Sequence, residues 1–199
     1  SSDIDLLIFG PDEMFTDGSL AATYLDGGRL FEVFAYTEES FDAWAARGVE
    51  HTRPVILDML FAGIDLAVPG LIASGAAERR RVRWRETYDR GPVVDQHTLD
   101  LRRYAVTGWL DDTADARDAA EAAVSASALF HGLAELLLLS DGEWIGTGKQ
   151  LVRRLRAWNP GRAERLILPF AGGDPQTLVA VARLELDGLG GPLREGVVR

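Results

Sequence analysis

The chain has 199 residues, 47% hydrophobic and 26% charged, enough for one large domain or two small ones and too little polar bias for extended disorder. Its 31 acidic against 21 basic residues give a formal charge of −10, which disfavours broad nucleic-acid binding, because that depends on basic contacts to phosphate. With no cysteine, disulfides, zinc–thiolate sites and thiol nucleophiles are excluded together, and a reducing cytoplasm is the default compartment.

The chain opens Ser-Ser-Asp-Ile-Asp, with neither Met nor a basic-then-apolar leader. That opening predicts a chain starting inside its first structural element, with something upstream removed. Ile4 to Phe9 is a short apolar run ended by Gly10-Pro11, which reads as a buried strand. Leu20 to Leu25 and Arg29 to Tyr36 flank Asp26-Gly27-Gly28, the signal of a hairpin of antiparallel strands. Thr37 is the expected N-cap of a helix through Phe41 and Trp44, with Glu38 and Glu39 near its positive end. A second helix is expected from Pro54 to Phe61, stopping at Gly63, and a further short strand from Ile64 to Val68.

After Gly70 the character changes. Segments near 71–88, 95–114, 116–139, 147–158 and 175–189 carry helical spacing, most of them separated by Gly- and Pro-containing turns such as Asn159-Pro160-Gly161. The 116–139 segment, rich in Ala and Leu, suits the central helix of a bundle. Its apolar stretch Leu133 to Leu139 is too short to cross a membrane. The expectation is an α+β chain: a small mixed-sheet α/β domain over 1–70, then an α-helical bundle over 71–199.

Alternate residues of a strand share a face, so Asp3 and Asp5 lie on one side with Ile4 and Leu6 on the other. Two carboxylates beside each other on a buried strand repel and are costly to desolvate, and a divalent cation offsets both effects. Glu32 is the only charge in Leu30-Phe31-Glu32-Val33-Phe34. Should its strand lie beside the first with Glu32 on the same face, three carboxylates converge on a site suited to one or two Mg²⁺ ions. Asp-x-Asp by itself is weak evidence, because most such pairs lie on solvated edges or in turns.

Ser2-Asp3-Ile4-Asp5-Leu6-Leu7-Ile8 resembles the second half of the signature of the polymerase-β-like nucleotidyltransferase superfamily, Ser-Asp-x-Asp-Leu after a Gly-Ser turn. Phe31-Glu32-Val33-Phe34 resembles the strand carrying the third acid in small-molecule members such as the aminoglycoside nucleotidyltransferases. Leu101-Arg102-Arg103-Tyr104 and Gly146-Thr147-Gly148-Lys149 resemble segments of bacterial members of unassigned substrate. The resemblance implies a nucleotidyltransferase domain, incomplete at its N-terminus, with a helical second domain. It implies Asp3, Asp5 and Glu32 as catalytic metal ligands, Ser2 at the nucleotide, and Mg²⁺ with ATP or another nucleoside triphosphate. Transfer of a nucleoside monophosphate, AMP first, to a hydroxyl of a small acceptor follows, with Glu32 also able to take the proton. The family's Gly-Ser phosphate turn is absent, and Gly18-Ser19 cannot replace it because it follows the acidic strand.

Gly146-Thr147-Gly148-Lys149 is not a P-loop: the glycine spacing is wrong and Gln150 stands where Ser or Thr is needed. Thr147 as a helix N-cap with Lys149 in the first turn is the plainer reading. Lys149 reaching a phosphate across an interdomain cleft is the functional one. His51, His97 and His131 lack metal-ligand spacing, and His131 reads as a packed histidine. Arg79 to Arg85, with Trp84, reads as a face that is solvated or pairs with acids rather than one that binds RNA. Trp109, Trp144 and Trp158 read as bundle packing, with Trp144 also able to wall an acceptor pocket; Glu135 is open between bundle surface and acceptor acid. An aminoglycoside would suit the acidic surface. The competing reading is an antitoxin-like nucleotidyltransferase whose helical half binds a protein partner, with catalysis aimed at that partner or lost. Membrane and nucleic-acid partners are not expected.

Overall fold

In the computed structural model, which describes residues 3–66 and 75–196, the Asp-Gly-Gly turn acts as its composition dictates. Gly27 and Gly28 both take positive φ, +53° and +76°, the pair of left-handed positions that a tight hairpin turn requires. They join β2 (Ser19–Asp26) to β3 (Arg29–Tyr36) as antiparallel neighbours. The first strand, β1 (Ile4–Phe9), pairs with β3 in parallel, so among the described residues one mixed sheet runs β1-β3-β2.

One face of this sheet is covered by helices. Thr37 caps α1 (Glu38–Glu50), its side chain accepting from the Ser40 amide at 3.1 Å. α2 (Val55–Ala62) starts after Pro54 and ends at Gly63. Leu7, Phe9, Phe34 and Tyr36 pack with Phe41 and Ala45 of α1 and Leu57 and Leu60 of α2. Phe41 is the hub, with ring centroids 5.1 Å from Phe9 and 5.9 Å from Tyr36. The opposite sheet face is more open, with Ile8, Leu20 and Tyr24 42%, 49% and 55% exposed.

The change in composition at Gly70 does not mark the division of the chain. Two compact units are Ser1–Arg90 and Gly91–Arg199, so α3 (Ala76–Arg90) belongs with the sheet. Two things hold it there: Ala77, Trp84 and Tyr88 pack against the core of the first unit, and a row of arginines on α3 meets matching acids. Arg79 and Arg80 pair with Glu38, Arg80 and Arg83 with Asp42, and Arg81 with Asp65. Trp84 Nε1 donates to Asp42 and Tyr88 Oη donates to Asp58, both at 2.7 Å. The basic face is thus paired with the protein's own carboxylates, although Nε of Arg80 is buried without a hydrogen-bond partner among the described residues. Residues 64–66 form no strand; the rest of that expected strand, at 67–68, lies outside the described residues.

In the second unit, α5 (Ala119–Ser140) packs against α4 (Gln96–Ala114), α6 (Lys149–Trp158), α7 (Pro160–Ala171) and α8 (Pro175–Gly188). It is the central helix that its composition predicted. At 22 residues and with a most apolar window of mean hydropathy 1.7, it is long and apolar enough to cross a membrane, which the shorter run Leu133–Leu139 had concealed. Half of that window is buried inside the protein, and Leu129, Leu133 and Leu138 are fully enclosed by the other helices. α7 was not expected, because Asn159-Pro160-Gly161 reads as a turn. In the fold it is a helix start: Asn159 accepts from the Arg162 amide at 3.0 Å, and Pro160 occupies the first turn, where its missing N–H costs nothing.

Several polar side chains settle here. Buried Glu185 accepts from Arg162 Nε at 3.0 Å and Nη2 at 2.5 Å. Glu135 is a pairing residue, accepting from Arg102 at 2.9 Å. His131 is exposed rather than packed in the core; its Nδ1 lies 2.7 Å from the Ser127 carbonyl oxygen, and its ring meets Phe130 edge-on. Trp144 is buried at 4% exposure, and Trp109 and Trp158 pack partly buried against the bundle core.

Candidate functional site

The register of β1 on β3 places Asp5 opposite Glu32. Both strands run the same way, so partnered residues share a face, and neighbouring strands are about 4.8 Å apart. On the other side of β3, the antiparallel ladder sets Thr23 of β2 opposite Glu32. One rung across the sheet therefore reads Asp5, Glu32, Thr23. It lies on the helix-covered face, two residues before the apolar rung Leu7, Phe34, Ala21.

Why the acids sit at this end follows from the strands. The C-terminal ends of β1 and β3 carry Phe9 and Tyr36 into the core under α1, whereas Asp5 is the second residue of β1 and Glu32 the fourth of β3. Asp5 is exposed and Glu32 half-buried. Asp3 is exposed and lies immediately before β1. The structure thus puts Asp5 and Glu32 on one rung. Among the described residues, no group of three or more His, Asp and Glu side chains is placed to hold a metal ion. Two carboxylates on adjacent strands, open to solvent on one side, are still a donor set that suits a hard cation. Mg²⁺ is commonly bound by one or two carboxylates together with substrate phosphates.

The remaining expected contacts lie outside the described residues or in the second unit. Ser2 lies outside the described residues. Lys149 is the first residue of α6, in the second unit, and is exposed. The cap of that helix is Gly148, with φ of +50° and no side-chain hydrogen bond, rather than Thr147. Thr23 was not singled out in the sequence; its only signal was its place three residues before the hairpin turn, from which the partner of Glu32 can be counted across Asp26–Arg29.

Comparison with protein-family models gives no match, and no curated protein matches the chain.

Proposed function

We propose that the protein is a metal-dependent nucleotidyltransferase that moves a nucleoside monophosphate, AMP first, from a nucleoside triphosphate to a hydroxyl of a small-molecule acceptor. The observation that carries the reading is the Asp5–Glu32 rung: two carboxylates held one strand apart, on the sheet face whose following residues Leu7, Phe9, Phe34 and Tyr36 pack under the helices. Natural sheets avoid like charges directly opposite each other, because the pair destabilises the ladder. A cation and the phosphates it accompanies give the pair a purpose.

Asp5 and Glu32, with Asp3 two residues before Asp5, are the proposed holders of Mg²⁺. When bound, that ion neutralises charge on the transferring phosphoryl group. In the transfer, the acceptor hydroxyl oxygen forms a bond to the α-phosphorus. The bond from that phosphorus to the bridging oxygen breaks, and its electron pair leaves with pyrophosphate. Glu32 is the proposed acceptor of the hydroxyl proton, a role that requires a carboxylate within hydrogen-bond reach of the acceptor. Ser2 is the proposed triphosphate contact. A cytoplasmic location belongs to the same proposal, from the absence of cysteine.

The test is nucleotide transfer by the full chain with Mg²⁺, ATP labelled at the α-phosphate and a panel of hydroxyl acceptors, beside Asp5→Asn. Acceptor-dependent label transfer that Asp5→Asn abolishes is the expected result. Transfer at an undiminished rate in that variant overturns the assignment.

A further inference from the structure

Next to the acid rung the first unit has an open cleft of about 460 Å³, within the size range of small-molecule sites. Its sheet wall is the rung that follows Glu32 and Thr23 on the same face: Phe34 of β3 and Ala21 of β2 line it. Two residues along a strand span about 6.6 Å, so the Phe34 position on the wall lies about that far from Glu32, which does not itself line the cleft. Ile56 and Met59 of α2 make a second apolar wall.

The rim has a different chemistry. Trp44 and Arg47, one turn apart on α1, both line the cleft, and the Arg47 guanidinium lies 5.1 Å from the centre of the indole ring. Trp44 is 45% exposed, an unusual state for so large an apolar surface in a helix that faces a core. Arg53 and His51 also line the cleft, and among the described residues no carboxylate does. Cationic side chains around an apolar hollow stand out in a chain of formal charge −10. Burial pushes the Tyr36 phenol, also on the cleft wall, above its ordinary value, so it remains neutral.

We propose that this cleft seats the acceptor, and that the acceptor is a planar aromatic molecule bearing a hydroxyl and a negative charge, such as a hydroxyaryl carboxylate. The assignment of the occupant as acceptor rests on the nucleotidyl-transfer reading; the ligand class rests on the cleft alone. The ring lies on Phe34 and against Trp44, the anionic group meets Arg47, and the hydroxyl points along the sheet towards Glu32. A polycationic aminoglycoside, which the overall charge favoured, meets like charge at this rim.

Calorimetric titration of the full chain with 6-hydroxy-2-naphthoate and with its cationic counterpart, 6-hydroxy-2-naphthylmethylammonium, tests the ligand class without nucleotide or metal. The carboxylate is expected to bind at least about ten-fold more tightly, the difference one charge-assisted hydrogen bond makes. Arg47→Gln should bring the ratio close to one, and Ala21→Trp should block both ligands by filling the sheet wall. Equal binding of the two, no binding of either, or a ratio unchanged in Arg47→Gln overturns the assignment. Mg²⁺–ATP is then added. Charge-selective binding without nucleotidylation of the naphthoate hydroxyl overturns its role as acceptor and leaves the ligand class standing. Transfer to an aminoglycoside by a protein that does not bind the naphthoate overturns the cleft assignment and leaves nucleotidyl transfer standing.

Discussion

Trp84 and Asp42 are joined by a 2.7 Å hydrogen bond from the indole N–H to Oδ1 of a carboxylate whose Oδ2 pairs with Arg80 and Arg83. The bond ties α3 to α1, and with the arginine row it fixes where the first unit ends. Trp84→Phe keeps the ring packing and removes the donor. A hydrogen bond to a charged group contributes roughly 1.5–3 kcal/mol, so the urea midpoint of the first unit should fall by that amount divided by its m-value. A midpoint within error of wild type would show that Asp42 is satisfied by Arg80 and Arg83 alone.

The facing acids make an unusual double prediction. Without divalent cations, Asp5→Asn or Glu32→Gln should raise stability by a few tenths to about 1 kcal/mol, because a like-charge pair is relieved. With Mg²⁺ and ATP present, the wild type should gain melting temperature by ligand linkage and the variants should gain less. Differential scanning fluorimetry across a Mg²⁺ series reads both effects. Activity of either variant should drop at least about a hundredfold, the scale of losing one group that stabilises transition-state charge.

Two glycines of the helical unit should respond in opposite directions to the same substitution. A Cβ on Gly132 of α5 would stand 2.2 Å from Cζ3 of Trp109, so Gly132→Ala forces the α4–α5 contact apart and should cost about 1–3 kcal/mol. Gly108, exposed on α4, has nothing within 4 Å of the corresponding position. Gly108→Ala should stabilise by about 0.4–1 kcal/mol through the unfolded chain. Chemical denaturation of the two variants side by side measures the contrast.

Acid should loosen the first unit through Glu38. The hydrogen bond from Arg79, and then the charges of Arg79 and Arg80, hold its carboxyl below the ordinary glutamate value. Arg81 does the same to Asp65. A depressed folded-state value stabilises the fold above the unfolded value and is lost as pH falls through the folded one. The wild-type urea midpoint should therefore decline below the usual carboxylate range, and Glu38→Gln should decline less steeply over that window. Parallel acid limbs in the two proteins would remove Glu38 from the account.

What the sequence disclosed was chiefly local. Asp-Gly-Gly determines a hairpin within a few residues, and Thr37 caps its helix through an amide three positions on. The Asp5–Glu32 rung could be anticipated because a lone charge in an apolar strand needs a neighbour, although the register belongs to distant pairing. The division at Arg90 was hidden because the arginines of α3 find their acids some 40 positions earlier, which no composition window reports. α7 was missed where two turn-forming residues served as a cap and a first turn. The cleft was invisible for a related reason: Ala21, Phe34, Trp44 and Arg47 become neighbours only when the hairpin edge meets α1.

The order of strands also bears on how the acid rung comes into being. The hairpin of β2 and β3 can close around its own turn, whereas β1 must be recruited across the whole hairpin before Asp5 meets Glu32. Contacts distant along the chain form late and at greater entropic cost than local ones. Because Asp5 is also the second residue of its strand, peeling of that end would part the two carboxylates while the hairpin stayed intact. Assembly of the rung is in effect the closing step of the sheet.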